Sequence, residues 1–444
     1  MSLPAQLPFA RAASVAPFSP AWRRDSHTSA VALERSGRKS ALRDAFSSRR
    51  SNTCWVVGAG HSRCKGPSSM ARARCSSERA MLVCLAAAVS TVTARQRKQQ
   101  GRVMPGKVSS QLLVPDHIVR PPYIRPDGSP LISSPKEGFP PDEFSLTPEN
   151  VAAGKIEIKS PEQVEGMRVA CKLAREALEV GGRVVEPGVT TDEIDRAVHD
   201  FIISRGAYPS PLGYMGYTKS VCTSLNNVIA HGTPDDRPLQ ERDILNLDVT
   251  VYINGFHGDT SSMFFAGRPT KAAAMLCAAA QKGMNAGIQV CGPGVDFREI
   301  GKAIERVSSE ARYFCSHTLT GHGIGSYFHG CPEIIPQVND TDQGLMKPGM
   351  TFTIEPIFVE NNDTSWEIDP DGWTLRTQTG EWTAQFEHTI LITETGHEVL
   401  TGPSVDYRGI LAEKVGAVKP AATEALRRPS SAVRDAGGKS RGFR

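Results

Sequence analysis

The stretch Asp243-Ile-Leu-Asn-Leu-Asp248-Val-Thr-Val-Tyr-Ile-Asn254-Gly255-Phe-His-Gly-Asp259-Thr-Ser-Ser-Met-Phe264 carries the densest structural information in the chain. Asn254-Gly255 between two runs of β-forming residues signals a hairpin closed by a two-residue type I′ turn. With the ladder closing there, Ile253 faces Phe256, Thr250 faces Asp259 and Asp248 faces Ser261. Side chains alternate with period two, so Asp248 and Asp259 share a face as diagonal neighbours, about 7–8 Å apart at the backbone. Two carboxylates on an apolar sheet repel each other and resist burial, and a cation relieves both costs. Leu245, Leu247, Val249, Val251 and Ile253 fill only one face, so this segment alone leaves open a solvated sheet with scattered acids.

Outward from the hairpin, helices and strands recur in two rounds. Ser160-Pro161-Glu162-Gln163 reads as an N-cap, a first-position Pro and a capping-box Gln, followed by Val164, Met167, Cys171, Leu173 and Leu178 at helical spacing. Gly181-Gly182 is expected to stop that helix, and Thr191 to cap a second one ending at Gly206. Strands are expected at 219–225 and 244–253. The second round has an Ala-rich helix over 270–290 and a helix capped by Asp296 with Glu299 as its box partner. Strands at 351–355 and 383–393 complete it. Two rounds of helix, helix, strand, strand predict one α+β domain over 160–403 built as a duplicated half.

Around this domain the composition changes. The chain has 444 residues, 39% hydrophobic and 22% charged, with a mean hydropathy of −0.28, which excludes collagen, coiled coil and a wholly disordered chain. Its net charge of +4 is the residue of two opposite parts. Residues 1–110 hold 19 Lys and Arg against 4 Asp and Glu, so the remainder carries an excess of 11 acids, which argues against a nucleic-acid-binding face on the folded part. An Arg-, Ser- and Ala-rich leader poor in acids has the composition of an organellar transit peptide. Within it, the uncharged run 80–94 between Arg79 and Arg95 is too short to span a bilayer comfortably and suits a signal-like core or an Ala-rich helix. Translation from near Met70 would then put a signal-like core ahead of a second, Arg-rich address (Arg95 to Lys98), a bipartite plastid arrangement, whereas otherwise the whole leader is one long transit peptide; Met1, Met70 and Met81 are the candidate starts. Residues 111–159 are punctuated by proline and predict an extended linker or strap, and 404–444 read as a basic disordered tail. Of ten cysteines, Cys54, Cys64, Cys75 and Cys84 fall in the leader. No C-x-x-C pair occurs, so neither a disulfide scaffold nor a zinc module is indicated and a reducing compartment suits the rest.

Three further residues bear on the aspartate pair. His322 lies between glycines in Gly321-His-Gly-Ile-Gly325, Glu355 ends an apolar strand immediately before Pro356, and Glu387 begins one. Each is weak by itself. Together two Asp, one His and two Glu make an oxygen-rich set suited to two divalent ions sharing carboxylates, a donor chemistry that does not name the metal among Co, Mn, Fe and Zn.

The order of His231-Gly-Thr-Pro-Asp235, Asp248, Asn254-Gly-Phe-His-Gly-Asp259-Thr, Gly321-His322-Gly-Ile-Gly, Phe328-His329, Phe352-Thr-Ile-Glu355-Pro and Gln385-Phe-Glu387-His-Thr closely resembles the type 1 methionine aminopeptidases over 160–402. The resemblance implies the pita-bread fold, two pseudo-symmetric halves with a central antiparallel sheet flanked by helices, with Asp248, Asp259, His322, Glu355 and Glu387 as metal ligands and Asp259 and Glu387 bridging. It implies that Glu355 moves the proton of the attacking water to the leaving amine. His329 would hydrogen-bond the scissile carbonyl oxygen and His231 would contact the peptide near the scissile nitrogen. Tyr214, Tyr217, Cys222, His231, Phe328 and Trp373 would line the pocket for the methionine side chain, aromatic faces and a thiol suiting a polarizable thioether. Only 25 residues separate His329 from Glu355, too few for the helical insertion of type 2 enzymes. With no zinc fingers in the leader, the chain looks most like an organellar form.

Three positions depart from the family pattern: Pro211, Thr218 before Lys219, and Gly330-Cys331 after the second His. None is a ligand, and Pro211 bears on the preference for the second residue. The implied function is removal of initiator methionine from nascent chains with a small second residue, by a monomer acting near the ribosome without membrane or specific nucleic acid. It would work in a plastid or mitochondrion, or in the cytoplasm if the leader is no address. An Xaa-Pro aminopeptidase or prolidase of the same fold, and a pita-bread binding protein without metals, are the competing readings.

Overall fold

A computed structural model describes residues 102–133, 143–361 and 365–403. The expectations for the leader through residue 101, including its cysteines and its 80–94 run, and for the tail from residue 404 lie outside the described residues. Five α-helices occur among the described residues: α1 (Pro148–Ala152), α2 (Pro161–Val184), α3 (Thr191–Ser204), α4 (Lys271–Gln289) and α5 (Arg298–Ala311). None of them is long and apolar enough to cross a membrane.

Nine strands among the described residues form the main sheet: β1 (Tyr208–Pro209), β2 (Cys222–Leu225), β3 (Ile244–Ile253), β4 (Phe256–Phe265), β5 (Gly321–Gly323), β6 (Gly330–Ile334), β7 (Thr351–Ile354), β8 (Glu387–Ile392) and β9 (His397–Val399). Their order is β1-β3-β4-β8-β7-β5-β6, with β2 also paired to β3 and β9 to β8, and the pairings are antiparallel. Each helix pair covers its own part of the sheet. Helices α2 and α3 bury Ala174, Ala177, Leu178, Ile194, Val198 and Ile202 against Leu245, Leu247, Val249 and Val251. Helices α4 and α5 bury Leu276, Ala280, Met284, Ile300 and Ile304 against Phe352, Ile354, Ile390 and Ile392. Two apolar clusters of this kind are what the two rounds of helices and strands predicted, and together they supply the hydrophobic driving force.

The hairpin closes as expected. Asn254 (φ 53°) and Gly255 (φ 87°) take the left-handed conformations of a type I′ turn, and the ladder pairs Ile253 with Phe256, Thr250 with Asp259 and Asp248 with Ser261.

Several boundaries differ from the sequence reading, each for a local reason. Helix α2 runs through Gly181-Gly182 to Val184. The glycines serve packing rather than termination: a Cβ on Gly182 would strike the Phe264 ring, and one on Gly181 would come within 2.9 Å of Val198 and 3.0 Å of Leu247. The cap of α3 is Thr190, which exchanges a reciprocal capping box with Glu193, while Thr191 is buried and bonded to Asp235. Helix α5 has Phe297 at its cap with no side-chain bond. The Asp296 carboxylate is instead taken by the backbone and guanidinium of Arg298, and Glu299 pairs with Lys302. The predicted strand 383–393 is two strands, because the chain leaves one sheet and enters another at Phe386. Thr383–Gln385 pairs with Ile357–Val359 in a small sheet, and Glu387 opens β8. In the proline-rich stretch, Thr147 caps the short helix α1 where only extended chain was expected.

Helix α2 approaches the hairpin so closely that Gly258 would place a Cβ 2.4 Å from the Ala170 and Cys171 backbone. Backbone cannot step aside as a side chain can. Gly258→Ala should therefore destabilise the chain by about 1–3 kcal/mol in urea unfolding, and an unchanged midpoint would refute the contact.

Candidate metal and active site

Strand register alone collects three acids. Cys222 pairs with Asp248, Asp248 with Ser261, and Ser261 with Glu387, so Asp248 and Glu387 flank Ser261 in one row across β3, β4 and β8. Asp259, two residues before Ser261, points to the same face. The fourth acid arrives by the same rule. The register that joins Ile354 to His388 in the main sheet also joins Ile357 to Gln385 in the small one. Glu355 and Glu387 therefore fall opposite each other where both chains change sheets.

His322 enters from β5. Its two glycine neighbours admit it between strands: a Cβ on Gly321 would hit the Thr353 carbonyl, and one on Gly323 the Cys331 carbonyl. The His322 N–H donates to Thr353 Oγ1 (3.0 Å), and Nδ1 lies 3.1 Å from the Gly323 carbonyl. With Nδ1–H donating there, the Nε2 lone pair is directed at the acids, 3.6 Å from Glu355 Oε1 and 3.8 Å from Asp259 Oδ2. One donor atom from each of Asp259, His322 and Glu387 lies within 4.8 Å of the others. The five residues that the sequence singled out are thus brought together.

Residues the sequence reading missed hold these side chains. Thr250 donates to Asp259 Oδ1 (2.7 Å), Thr353 to Glu355 Oε1 (2.8 Å) and Gln385 Nε2 to Glu355 Oε2 (3.2 Å). Thr250 was within reach of sequence analysis, because the hairpin register already sets it opposite Asp259. Thr353 lies only two residues before Glu355, within reach of the same alternation, whereas Gln385 carries no such signal, since it acts from a strand 30 residues distant from the carboxylate it holds.

Electrostatically the site lacks positive charge. Burial, joined by the charges of the other acids, pushes Asp259 and Glu387 far above the usual carboxylate range. Burial lifts Asp248 to about 7, and burial with the charge of Asp248 lifts Glu355 to about 8. Burial also lowers His322 and His231 to about 4 and, with the neighbouring imidazoles, His329 well below its ordinary value. Among the described residues, none of these four carboxylates has an ion pair with Lys or Arg. Four oxygen donors and a neutral imidazole without a counter-charge fit divalent cations.

The aromatic residues surround this cluster in two groups. The His329 ring is 4.3 Å from that of His322, is stacked on Phe328 at 4.1 Å, and has Nδ1 2.8 Å from the Tyr214 hydroxyl. On the other side Trp373 meets Tyr217 edge-on at 5.2 Å and His231 at 6.1 Å, and Tyr217 donates to the Gly232 carbonyl. His231 takes a left-handed conformation (φ 54°) after the strand Val228–Ala230, close enough that its protonation and that of His322 or His329 would oppose each other. Cys222 is buried opposite Asp248, its thiol pushed up by burial first and by that carboxylate next. Of the three departures, Pro211 is buried and accepts the Tyr214 N–H at its carbonyl, which places it directly beneath that tyrosine.

A sheet-borne cluster of this kind, two acids on a hairpin, a glycine-flanked His and a facing pair of Glu, defines a metallohydrolase class. Residues 165–394 match the model of metallopeptidase family M24. The chain is 47% identical over 296 residues to methionine aminopeptidase 1B, chloroplastic, of Arabidopsis thaliana, covering 67% of this chain and 74% of that protein. It is 44% identical over 300 residues to methionine aminopeptidase 1D, mitochondrial, of Homo sapiens, covering 67% and 83%. A crystal structure of methionine aminopeptidase from Rickettsia prowazekii superposes with a TM-score of 0.54 at 40% identity, covering 56% of this chain and all of that one. The chain belongs to metallopeptidase family M24 and, within it, to the type 1 methionine aminopeptidases with the pita-bread fold.

Calorimetric titration of the metal-free chain with Mn²⁺ or Co²⁺ should show binding that Asp259→Asn and His322→Ala weaken severely and Asp296→Asn leaves intact. At ions about 100-fold above Kd the bound form should gain about 2.7 kcal/mol against unfolding.

Proposed function

We propose that the chain removes N-terminal methionine from polypeptides by hydrolysis at the cluster just described, with Asp248, Asp259, His322, Glu355 and Glu387 as ligands of two divalent ions and Asp259 and Glu387 shared between them. The observation that carries this reading is the convergence of four uncompensated carboxylates, Asp259 and Glu387 buried and Asp248 and Glu355 partly so, around the lone-pair side of His322. Divalent ions held there supply Lewis acidity, which acidifies water and polarises a peptide carbonyl.

The remaining steps belong to the protein's own groups. Glu355, held by Thr353 and Gln385, carries a proton from the attacking water to the leaving amine. A phenol is a good donor to a neutral imidazole, so Tyr214 donating to His329 Nδ1 leaves the ring proton on Nε2, free to meet the scissile carbonyl oxygen as it gains charge. His231, held neutral by burial, contacts the peptide near the scissile nitrogen. Tyr214, Tyr217, Cys222, Phe328 and Trp373 receive the methionine side chain, and the space beyond it suits a small second residue.

On this reading residues 160–403 are the catalytic domain, 111–159 a strap on its surface, 404–444 a basic tail and the leader an organellar address. The substrates are then nascent chains made in a plastid or mitochondrion, met by a monomer near the ribosome. The chloroplastic and mitochondrial names of similar proteins support the address.

Met-Gly-Met-Met should lose its first residue in the presence of Mn²⁺, Co²⁺, Fe²⁺ or Zn²⁺, Met-Leu peptides should react more slowly, and Xaa-Pro peptides should be inert. Release from Xaa-Pro peptides alone would assign the site to the other M24 chemistry. His329→Ala should cost about 10²–10³ in kcat with little change in KM, as expected for a donor that acts mainly in the transition state. Mass analysis of the mature protein from its organelle should find its first residue between about Arg95 and Leu113.

A further inference from the structure

The strap ahead of the M24-matched residues sets one aromatic side chain against the rings that surround His329. Its backbone folds on itself, with Ile124 N–H donating to the Pro121 carbonyl (3.0 Å) and Leu131 N–H to the Tyr123 carbonyl (2.8 Å). That fold drives Ile118, Tyr123 and Ile124 into a buried cluster with Tyr208, Leu212, Tyr252 and Phe328. Gly213 (φ 79°) makes room for it, because a Cβ there would lie 2.6 Å from Ile124 Cδ1.

Inside the cluster the Tyr123 ring touches two others. It meets Tyr214 edge-on, with centroids 5.1 Å apart at 80°, and lies over His257 at 5.9 Å and 18°. Both of those rings rest on Phe328, Tyr214 at 4.8 Å and His257 in a parallel stack at 5.2 Å and 7°. The four rings therefore close a circuit, and Phe328 and Tyr214 are the two that hold His329. The Tyr123 hydroxyl donates to the Ser210 carbonyl (2.7 Å), and Ser210 Oγ lies 2.8 Å from His257 Nδ1, so the phenol also ties the circuit to the neighbouring backbone. Farther along the same strap, the Phe144 carbonyl accepts the Cys331 N–H (2.9 Å), and Phe144 stacks on Tyr327 at 5.8 Å. Chain outside the M24 match thus meets the loop that bears His329 directly at Tyr327 and Cys331 and through Tyr214 and His257 at Phe328.

We propose that Tyr123 is a positioning residue for the hydrolysis, acting through Tyr214 and His257 to fix the direction in which His329 presents Nε2. The proposal rests on the role given to His329 above. Without Tyr123 the circuit is open at two of its four contacts, and Tyr214 and His257 each lose one of the neighbours that hold them against Phe328. A donor a fraction of an ångström out of place loses transition-state stabilisation while ground-state binding is little affected.

The test uses the metal-loaded full chain and Met-Gly-Met-Met. Tyr123→Leu, which keeps apolar bulk and removes the ring, should lower kcat about tenfold with KM within about twofold, and Tyr123→Phe should restore most of the loss. In a His329→Ala background Tyr123→Leu should cost nothing further, because its effect travels through that side chain. A merely structural role predicts equal losses in both backgrounds, and that result overturns the proposal, as does wild-type kcat in folded Tyr123→Leu. Should Tyr123→Leu not fold, Tyr123→Met makes the same comparison. His329→Ala alone separates the two ideas. If it leaves kcat intact, the role of His329 fails and this inference with it, whereas a loss there with none at position 123 overturns the positioning alone.

Discussion

The repulsion among Asp248, Asp259, Glu355 and Glu387 is the constraint around which the rest of the protein is arranged. Four carboxyl groups on one side of a sheet, with no ion pair to Lys or Arg among the described residues, cannot all ionise in the folded chain without counter-charge. Such a cluster opposes folding, and the two apolar cores on the helix-covered face must offset it. A site of this kind is stable enough to persist and uncomfortable enough to bind cations. Stability and affinity are drawn from opposite sides of the same sheet.

Orientation comes from a layer of neutral donors. Thr250, Thr353 and Gln385 each hold one carboxylate oxygen, and the Gly323 carbonyl holds the imidazole. None of these groups brings charge, so they fix direction without competing for the role of counter-ion. Partners of this type set the basicity and aim of a ligand as much as the ligand itself. The aromatic circuit plays the corresponding part for His329, and the strap belongs functionally to the site although it lies outside the family match.

Much of this was legible beforehand because its causes are local. A two-residue turn with positive φ at both positions needs Asn-Gly, and once the turn is fixed the register follows residue by residue to Asp248 and Asp259. The capping box at Ser160 is equally local and formed as written. Gly181-Gly182 misled because a glycine pair that stops a helix and one that admits a neighbouring strand look alike in sequence, and the Phe264 ring that decides between them is about eighty residues away. Asp296 misled for a similar reason: its carboxylate closes on the backbone N–H and guanidinium of Arg298, one residue ahead of the helix's own cap at Phe297.

The sequence by itself determined the hairpin, the two rounds of elements, the five candidate ligands and, through their order, the family. Tertiary structure alone decided that Glu355 and Glu387 face each other where two strands change sheets, that Gln385 holds the Glu355 carboxylate from a strand 30 residues away, and that Tyr123 closes a ring of aromatic side chains. The division has one physical cause. Turns, caps and side-chain alternation are set by backbone geometry within a few residues, whereas the meeting of distant side chains depends on how whole layers pack, which no short window of sequence encodes.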